Sequence, residues 1–147
     1  MKIANFLAPT DVATDVAATD KDKLLLDLAR SAAAKLNLDS DRIFVELSKR
    51  EALGSTGVGG GVAIPHARFQ SIAKPFGTLV RLKKPMDYDA VDGKPVDLIV
   101  LLLLPEAAGD QLGALATIAH RLRNPNVAAG MRRAQGSAEV YRALTSD

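Results

Sequence analysis

The run Leu98-Ile-Val-Leu-Leu-Leu-Leu104 limits what this chain can fold into more than any other stretch. Seven consecutive apolar residues without alternation leave neither face of a strand for water. A membrane helix needs about 20 such residues, so the run falls far short of a bilayer span. It reads as a strand buried on both faces, which requires other elements to cover it on each side.

The periodicities on either side supply those covers. Leu24, Leu25, Leu28, Ala32 and Leu36 recur near helical spacing, with Asp20 or Asp22 as cap, so a helix is expected from about Lys23 to Leu36, stopped by Asn37. Asp39 or Ser40 caps a second helix with Ile43, Phe44 and Leu47 on one face and Gly54 at its end. Val62–Ile64 and Gly77 to Leu82 read as strands, with Leu79 and Val80 on opposite faces, and Asp92-Gly93 marks a turn between Tyr88–Val91 and Val96–Leu104. Gln111 to Arg123 reads as a helix with Leu112, Leu115, Ala116, Ala119 and Leu122 inward, closed by Asn124-Pro125. Two short helices, about Val127–Ala134 and Ser137–Leu144, complete the pattern. Interleaved helices and strands without long linkers or repeats predict one α/β domain over residues 1–147, a mixed β-sheet flanked by helices.

Composition narrows the function classes. With 147 residues, 48% hydrophobic and 24% charged, the chain is long enough for one core and reads as soluble and globular. A net charge of +2 with scattered cations and 4% aromatics does not resemble a nucleic-acid-binding stripe. Mild basicity suits an acidic or phosphorylated partner instead. The absence of cysteine rules out disulfides and thiolate metal sites. The opening Met-Lys-Ile-Ala-Asn-Phe-Leu-Ala-Pro-Thr lacks a signal-like apolar run, so a cytoplasmic location without membrane insertion is expected.

The chemistry concentrates in Gly54-Ser-Thr-Gly-Val-Gly-Gly-Gly-Val-Ala-Ile-Pro-His66-Ala. Glycines let backbone amides approach an anion, and Pro65 restricts the chain just before His66. A neutral imidazole is a good nucleophile near physiological pH when one nitrogen is free and the other is held by a hydrogen bond. Phosphoryl chemistry on His66 is therefore expected. Arg50, on the approach, can bind phosphate bidentately, and the Ser55 and Thr56 hydroxyls can donate to phosphoryl oxygens. Nucleotide motifs fail: Gly60 and Gly61 stand where a P-loop needs lysine and hydroxyl, and Val62 takes the third glycine of a dinucleotide fingerprint. Asp87, Asp89, Asp92 and Asp97 break the EF-hand spacing, so no metal site is expected.

Glu51, Val58-Gly59 and Val62-Ala63-Ile64-Pro65-His66-Ala67 resemble the phosphorylation-site signature of enzyme IIA proteins of the phosphoenolpyruvate-dependent phosphotransferase system, fructose/mannitol/nitrogen-regulatory type. Ser48-Lys-Arg-Glu-Ala-Leu-Gly-Ser-Thr-Gly57 and Asp87-Tyr-Asp-Ala-Val-Asp-Gly-Lys-Pro-Val-Asp97 extend the likeness over nearly the whole chain, and the latter block looks closest to the nitrogen-regulatory branch. The resemblance implies the enzyme IIA fold and His66 as phosphoryl acceptor, usually through its outer nitrogen. It also implies Arg50 beside His66, an HPr or nitrogen-branch HPr carrier as donor, and no cofactor. Gln111 departs from the pattern, because relatives place a second histidine there. Glutamine can donate a hydrogen bond to a phosphoryl oxygen but carries no charge. His120 lies ~13.5 Å farther along a helix and does not replace it; it reads as a flanking or surface residue.

Two functions share this chemistry. One is a regulatory IIA whose phosphorylation state selects target proteins; the other is a sugar-specific IIA subunit passing phosphate to a IIB subunit. A third reading is a binding module that keeps the fold without transferring phosphate, supported by Gln111 and opposed by the intact signature around His66.

Overall fold

A computed structural model describes residues 1–106 and 110–146, and the side chains of 110–112 lie outside that description. The strands are β1 (Val12–Val16), β2 (Gly57–Gly59), β3 (Val62–Ala63), β4 (His66–Phe69), β5 (Phe76–Met86) and β6 (Val96–Pro105). The helices are α1 (Lys21–Leu36), α2 (Ser40–Ala52), α3 (Asp110–Leu122), α4 (Pro125–Arg133) and α5 (Ser137–Thr145).

The apolar run is strand β6, and it occupies the middle of the sheet. Strand order is β1-β5-β6-β3-β2, with β4 also pairing on β6. β5 runs antiparallel to β6, whereas β3 and β4 run parallel to it, so the sheet is mixed. Ile99, Leu101 and Leu103 point into a core shared with α1 and α2. Leu98, Val100, Leu102 and Leu104 point into a second core shared with α3, α4 and α5. Period-two alternation thus places one strand in two hydrophobic cores. Leu79 and Val80 of β5 divide between the same two cores, as their alternation predicts.

Local chemistry sets the helix ends. Asp20 accepts from the Asp22 amide to start α1, and Asn37 closes it in the left-handed conformation at φ 55°. Asp39 caps α2 through the Asp41 amide, and Leu53 rather than Gly54 is its C-terminal cap. Arg81 reaches from β5 to the carbonyls of Met131 (2.9 Å) and Ala134 (2.7 Å), satisfying acceptors left open at the end of α4.

Several sequence expectations change, and neither β2 nor β4 has a counterpart among the expected strands. β1 has no counterpart among the expected elements: it is a short strand carrying Thr14 and Asp15, and it is held by parallel pairing to β5 rather than by its own pattern. Tyr88–Val91 is irregular rather than extended, with Asp89 at φ 58°. Ala116 is exposed, because α3 buries Ala114, Ile118 and Leu122. That row is spaced four residues apart and leaves Ala116 on the far side.

Leu101 is fully buried. Leu101→Ala should lower unfolding free energy by about 2–5 kcal/mol in urea denaturation. A loss below about 1 kcal/mol would be incompatible with a central, close-packed β6.

Candidate functional site

His66 sits where the strand pairing along β6 is interrupted. β3 pairs through Val62 and Ala63 with Leu98 and Ile99, and β4 resumes with His66 opposite Leu102. Between them lie Ile64 and Pro65. Proline has no amide hydrogen to continue a ladder, and its carbonyl instead accepts from the Leu102 amide at 3.0 Å. The Ile64 amide turns away to the Thr56 carbonyl at 2.9 Å. The Ile64 carbonyl lies 2.8 Å from His66 Nδ1. A carbonyl only accepts, so Nδ1 carries the proton and Nε2 keeps its lone pair.

The imidazole is half-buried, and burial pulls its pKa below the ordinary histidine value. The Ile64 carbonyl pushes the other way, Arg50 and Arg68 oppose a second positive charge, and Glu51 favours one. The balance leaves a neutral ring with a single free nitrogen, the form a nucleophile needs.

His66 lines a cleft of about 730 Å³. Its walls carry four cations, Arg42, Lys49, Arg50 and Arg68, against two acids, Glu46 and Glu106. Arg50 is steadied by donation from Nη1 to the Gly54 carbonyl at 2.7 Å. That bond uses one donor of a guanidinium and leaves others for an anion. Arg68 was not singled out from the sequence. The available signal was its spacing, two residues beyond His66 and therefore on the same face of β4.

The other expected ligands behave differently. Ser55 Oγ accepts from the Gly57 amide at 3.0 Å, which leaves its own proton to donate. Thr56 is 3% exposed, and neither it nor Ser55 lines the cleft. The Thr56 hydroxyl donates to Glu51 Oε1 and lies 3.0 Å from the Tyr88 hydroxyl. It is turned inward, because the Glu51 carboxylate is the stronger local acceptor. Gln111 lies outside the described side chains; His120 is exposed near the end of α3, as expected.

The glycine run also has a different role from the one expected. β2 and β3 form a hairpin with Gly60 and Gly61 at its tip. The Gly60 amide donates to Asp92 Oδ2 at 3.0 Å, and the Gly60 carbonyl accepts from Arg132 Nη2 at 2.8 Å. Asp97 holds that guanidinium through Nε and Nη2. A side chain at Gly61, where φ is 79°, would place Cβ 2.5 Å from Arg132. The run is glycine because the turn and the close arginine require it, and none of residues 57–61 lines the His66 cleft.

Sequence reading also gave Glu51 no physical role. Its side chain is 8% exposed and pairs with Lys21 Nζ at 2.6 Å. Burial alone would raise the Glu51 carboxyl, but Lys21 and the Thr56 hydroxyl and amide outweigh it and hold the group below its usual range. Burial pushes the Tyr88 phenol up, so it stays protonated and can donate to Glu51 Oε1 at 3.3 Å.

Comparisons with known proteins identify the family. A family model described as "Phosphoenolpyruvate-dependent sugar phosphotransferase system, EIIA 2" matches residues 5–147. A "Nitrogen regulatory protein" of Bradyrhizobium diazoefficiens is 40% identical, covering 98% of this chain and 95% of the relative. One from Pseudomonas aeruginosa is 37% identical over 96% of this chain and 93% of its own length. The crystal structure of nitrogen regulatory protein IIA-Ntr from Neisseria meningitidis superposes with a TM-score of 0.91 at 33% identity, covering 97% and 99% of the two chains. IIA mannitol from Escherichia coli shares the fold at a TM-score of 0.74 and 14% identity, over 91% and 95%. The chain therefore belongs to the EIIA 2 family of the phosphoenolpyruvate-dependent phosphotransferase system.

Proposed function

We propose that this protein is a cytoplasmic phosphoryl carrier of the nitrogen-regulatory type, one that takes a phosphoryl group on His66 Nε2 and regulates partner proteins through its phosphorylation state. The observation that carries this reading is the Nδ1–Ile64 carbonyl bond of 2.8 Å, which leaves Nε2 as the free nucleophile. The family and the names of the relatives support the branch. The donor is a phosphohistidine on an HPr-like carrier. In the transfer, the Nε2 lone pair forms a bond to phosphorus as the P–N bond to the donor ring breaks, and that electron pair returns to the donor nitrogen. His66 keeps its Nδ1 proton throughout, so the step needs no base. Arg50 supports charge on the phosphoryl oxygens, with Gln111 as a further donor, and no cofactor takes part. The cationic cleft suits docking of a phosphorylated donor.

A second reading has a specific support. A "PTS system fructose-specific EIIA component" of Haloferax volcanii is 34% identical over 83% of this chain. Under that reading His66 passes its phosphate to a IIB subunit.

Phosphoenolpyruvate, enzyme I and a carrier should place an acid-labile label on the wild type and none on His66→Ala. Arg50→Ala should slow labelling about 10–100-fold, the loss of a charge-assisted contact worth ~1.5–3 kcal/mol. No labelling of wild type by HPr or its nitrogen-branch counterpart would refute the carrier role. Discharge of the label by added IIB would favour sugar transfer; its retention favours regulation.

The pH dependence follows from burial of the ring. An ordinary histidine protonates around 6.5, and His66 lies below that value. The initial rate of labelling, with the donor system held constant, should fall to half its plateau at a pH below 6.5. An NMR titration of the His66 ring should give a midpoint on the same side, and a midpoint above 6.5 would overturn the assignment.

A further inference from the structure

We propose that Glu51 is a positioning residue for phosphoryl transfer, acting through Thr56 and Ile64 to hold the carbonyl that orients the His66 ring. The proposal rests on His66 being the phosphoryl acceptor. Its basis is an unbroken chain of contacts. Lys21 Nζ lies 2.6 Å from Glu51 Oε2, which also accepts the Thr56 amide at 3.0 Å. Glu51 Oε1 accepts the Thr56 hydroxyl and, at 3.3 Å, the Tyr88 hydroxyl. The Thr56 carbonyl accepts the Ile64 amide at 2.9 Å, and the Ile64 carbonyl accepts His66 Nδ1–H at 2.8 Å.

Two features make this chain more than ordinary support. Ile64 sits at the break between β3 and β4, so its amide bonds to Thr56 rather than to β6. The direction of its carbonyl therefore depends on where the Thr56 segment is held, and Glu51 holds that segment at both amide and hydroxyl. Charge is the second feature. As Nε2 bonds to phosphorus the ring becomes cationic while Nδ1 keeps its proton, so the Ile64 carbonyl accepts a strengthening hydrogen bond in the transition state. Of the charged groups that act most strongly on the ring, Arg50 and Glu51 from α2 and Arg68 from β4, Glu51 alone favours the cation; Arg42, Glu46 and Lys49 from α2 and Glu106 beyond β6 line the same cleft.

Four donors converge on the Glu51 carboxylate: the Lys21 ammonium, the Thr56 amide, the Thr56 hydroxyl and the Tyr88 hydroxyl. A glutamine would offer one acceptor oxygen and turn an amide group toward the remaining donors. Glu51→Gln should therefore loosen Thr56 while nearly preserving volume.

The test compares wild type, Glu51→Gln and Thr56→Val, each first checked for a cooperative thermal transition. Ring nitrogen NMR reads the His66 tautomer directly, without phosphoryl transfer. Wild type should show Nδ1–H almost alone; Glu51→Gln should show a tautomer mixture and a lower ring midpoint. In transfer from phosphorylated HPr, Glu51→Gln should lose about 10–100-fold in kcat with KM for the carrier unchanged. Thr56→Val, which removes only the hydroxyl, should lose about 5-fold in the same direction. A folded Glu51→Gln with the wild-type tautomer and kcat would overturn the proposal. If Glu51→Gln does not fold, an unchanged tautomer and kcat in Thr56→Val would overturn it. Failure of wild type to accept phosphate would instead strike the carrier reading, and the tautomer comparison would still decide whether Glu51 orients the ring.

Discussion

Desolvation of β6 on both faces is the constraint from which the rest of this structure follows. Its side chains alternate between two cores, so helices must cover the sheet on each side: α1 and α2 on one, α3 to α5 on the other. The strand also supplies backbone partners along its length. β3 and β4 both pair on the same edge of β6, one after the other. A single rigid template thereby sets where the chain on that edge is regular and where it breaks. His66 lies at the break, where its ring meets a main-chain carbonyl that bonds neither to β6 nor to a helix.

The electrostatics of the cleft follow from the same placement. The C-terminal end of α2 delivers Lys49 and Arg50, and β4 adds Arg68 beyond His66. Cations around a half-buried ring disfavour its protonation, and burial acts in the same direction. The groups that attract an anionic phosphoryl group thus also help keep the nucleophile in its neutral, reactive form. Glu51 offsets part of that effect from behind the site, where Lys21 already neutralises much of its charge.

Much of this was legible in the sequence, for identifiable reasons. The apolar run, the caps Asp20 and Asp39, and the stop at Asn37 are local signals, and each does locally what its chemistry implies. β1 was not legible, because five residues carrying Thr14 and Asp15 become a strand only by pairing with β5. At the site, His66 and Arg50 could be singled out from residue chemistry and motif. Arg68 could not, since a lone exposed arginine is unremarkable until the strand face it shares with His66 is known. Thr56 shows the limit most clearly. A hydroxyl eight residues before the strand break looks like a phosphate donor, and only packing reveals a buried carboxylate that claims it.

The glycine run carries the same lesson in the opposite sense. Backbone freedom and exposed amides make such a segment look like an anion cradle. Here the tip amide is taken by Asp92, the tip carbonyl by Arg132, and Arg132 is itself fixed by Asp97. The Gly61 carbonyl meanwhile accepts from the amides of Asp97 and Leu98, at 3.0 and 3.1 Å, at the start of β6. These bonds join the hairpin to the strand and to α4, and the hairpin leads directly into Ile64. The glycines therefore serve the site indirectly. They let the chain turn tightly beneath an arginine, so that β3 enters its register on β6 and the break that presents His66 falls where the cleft lies.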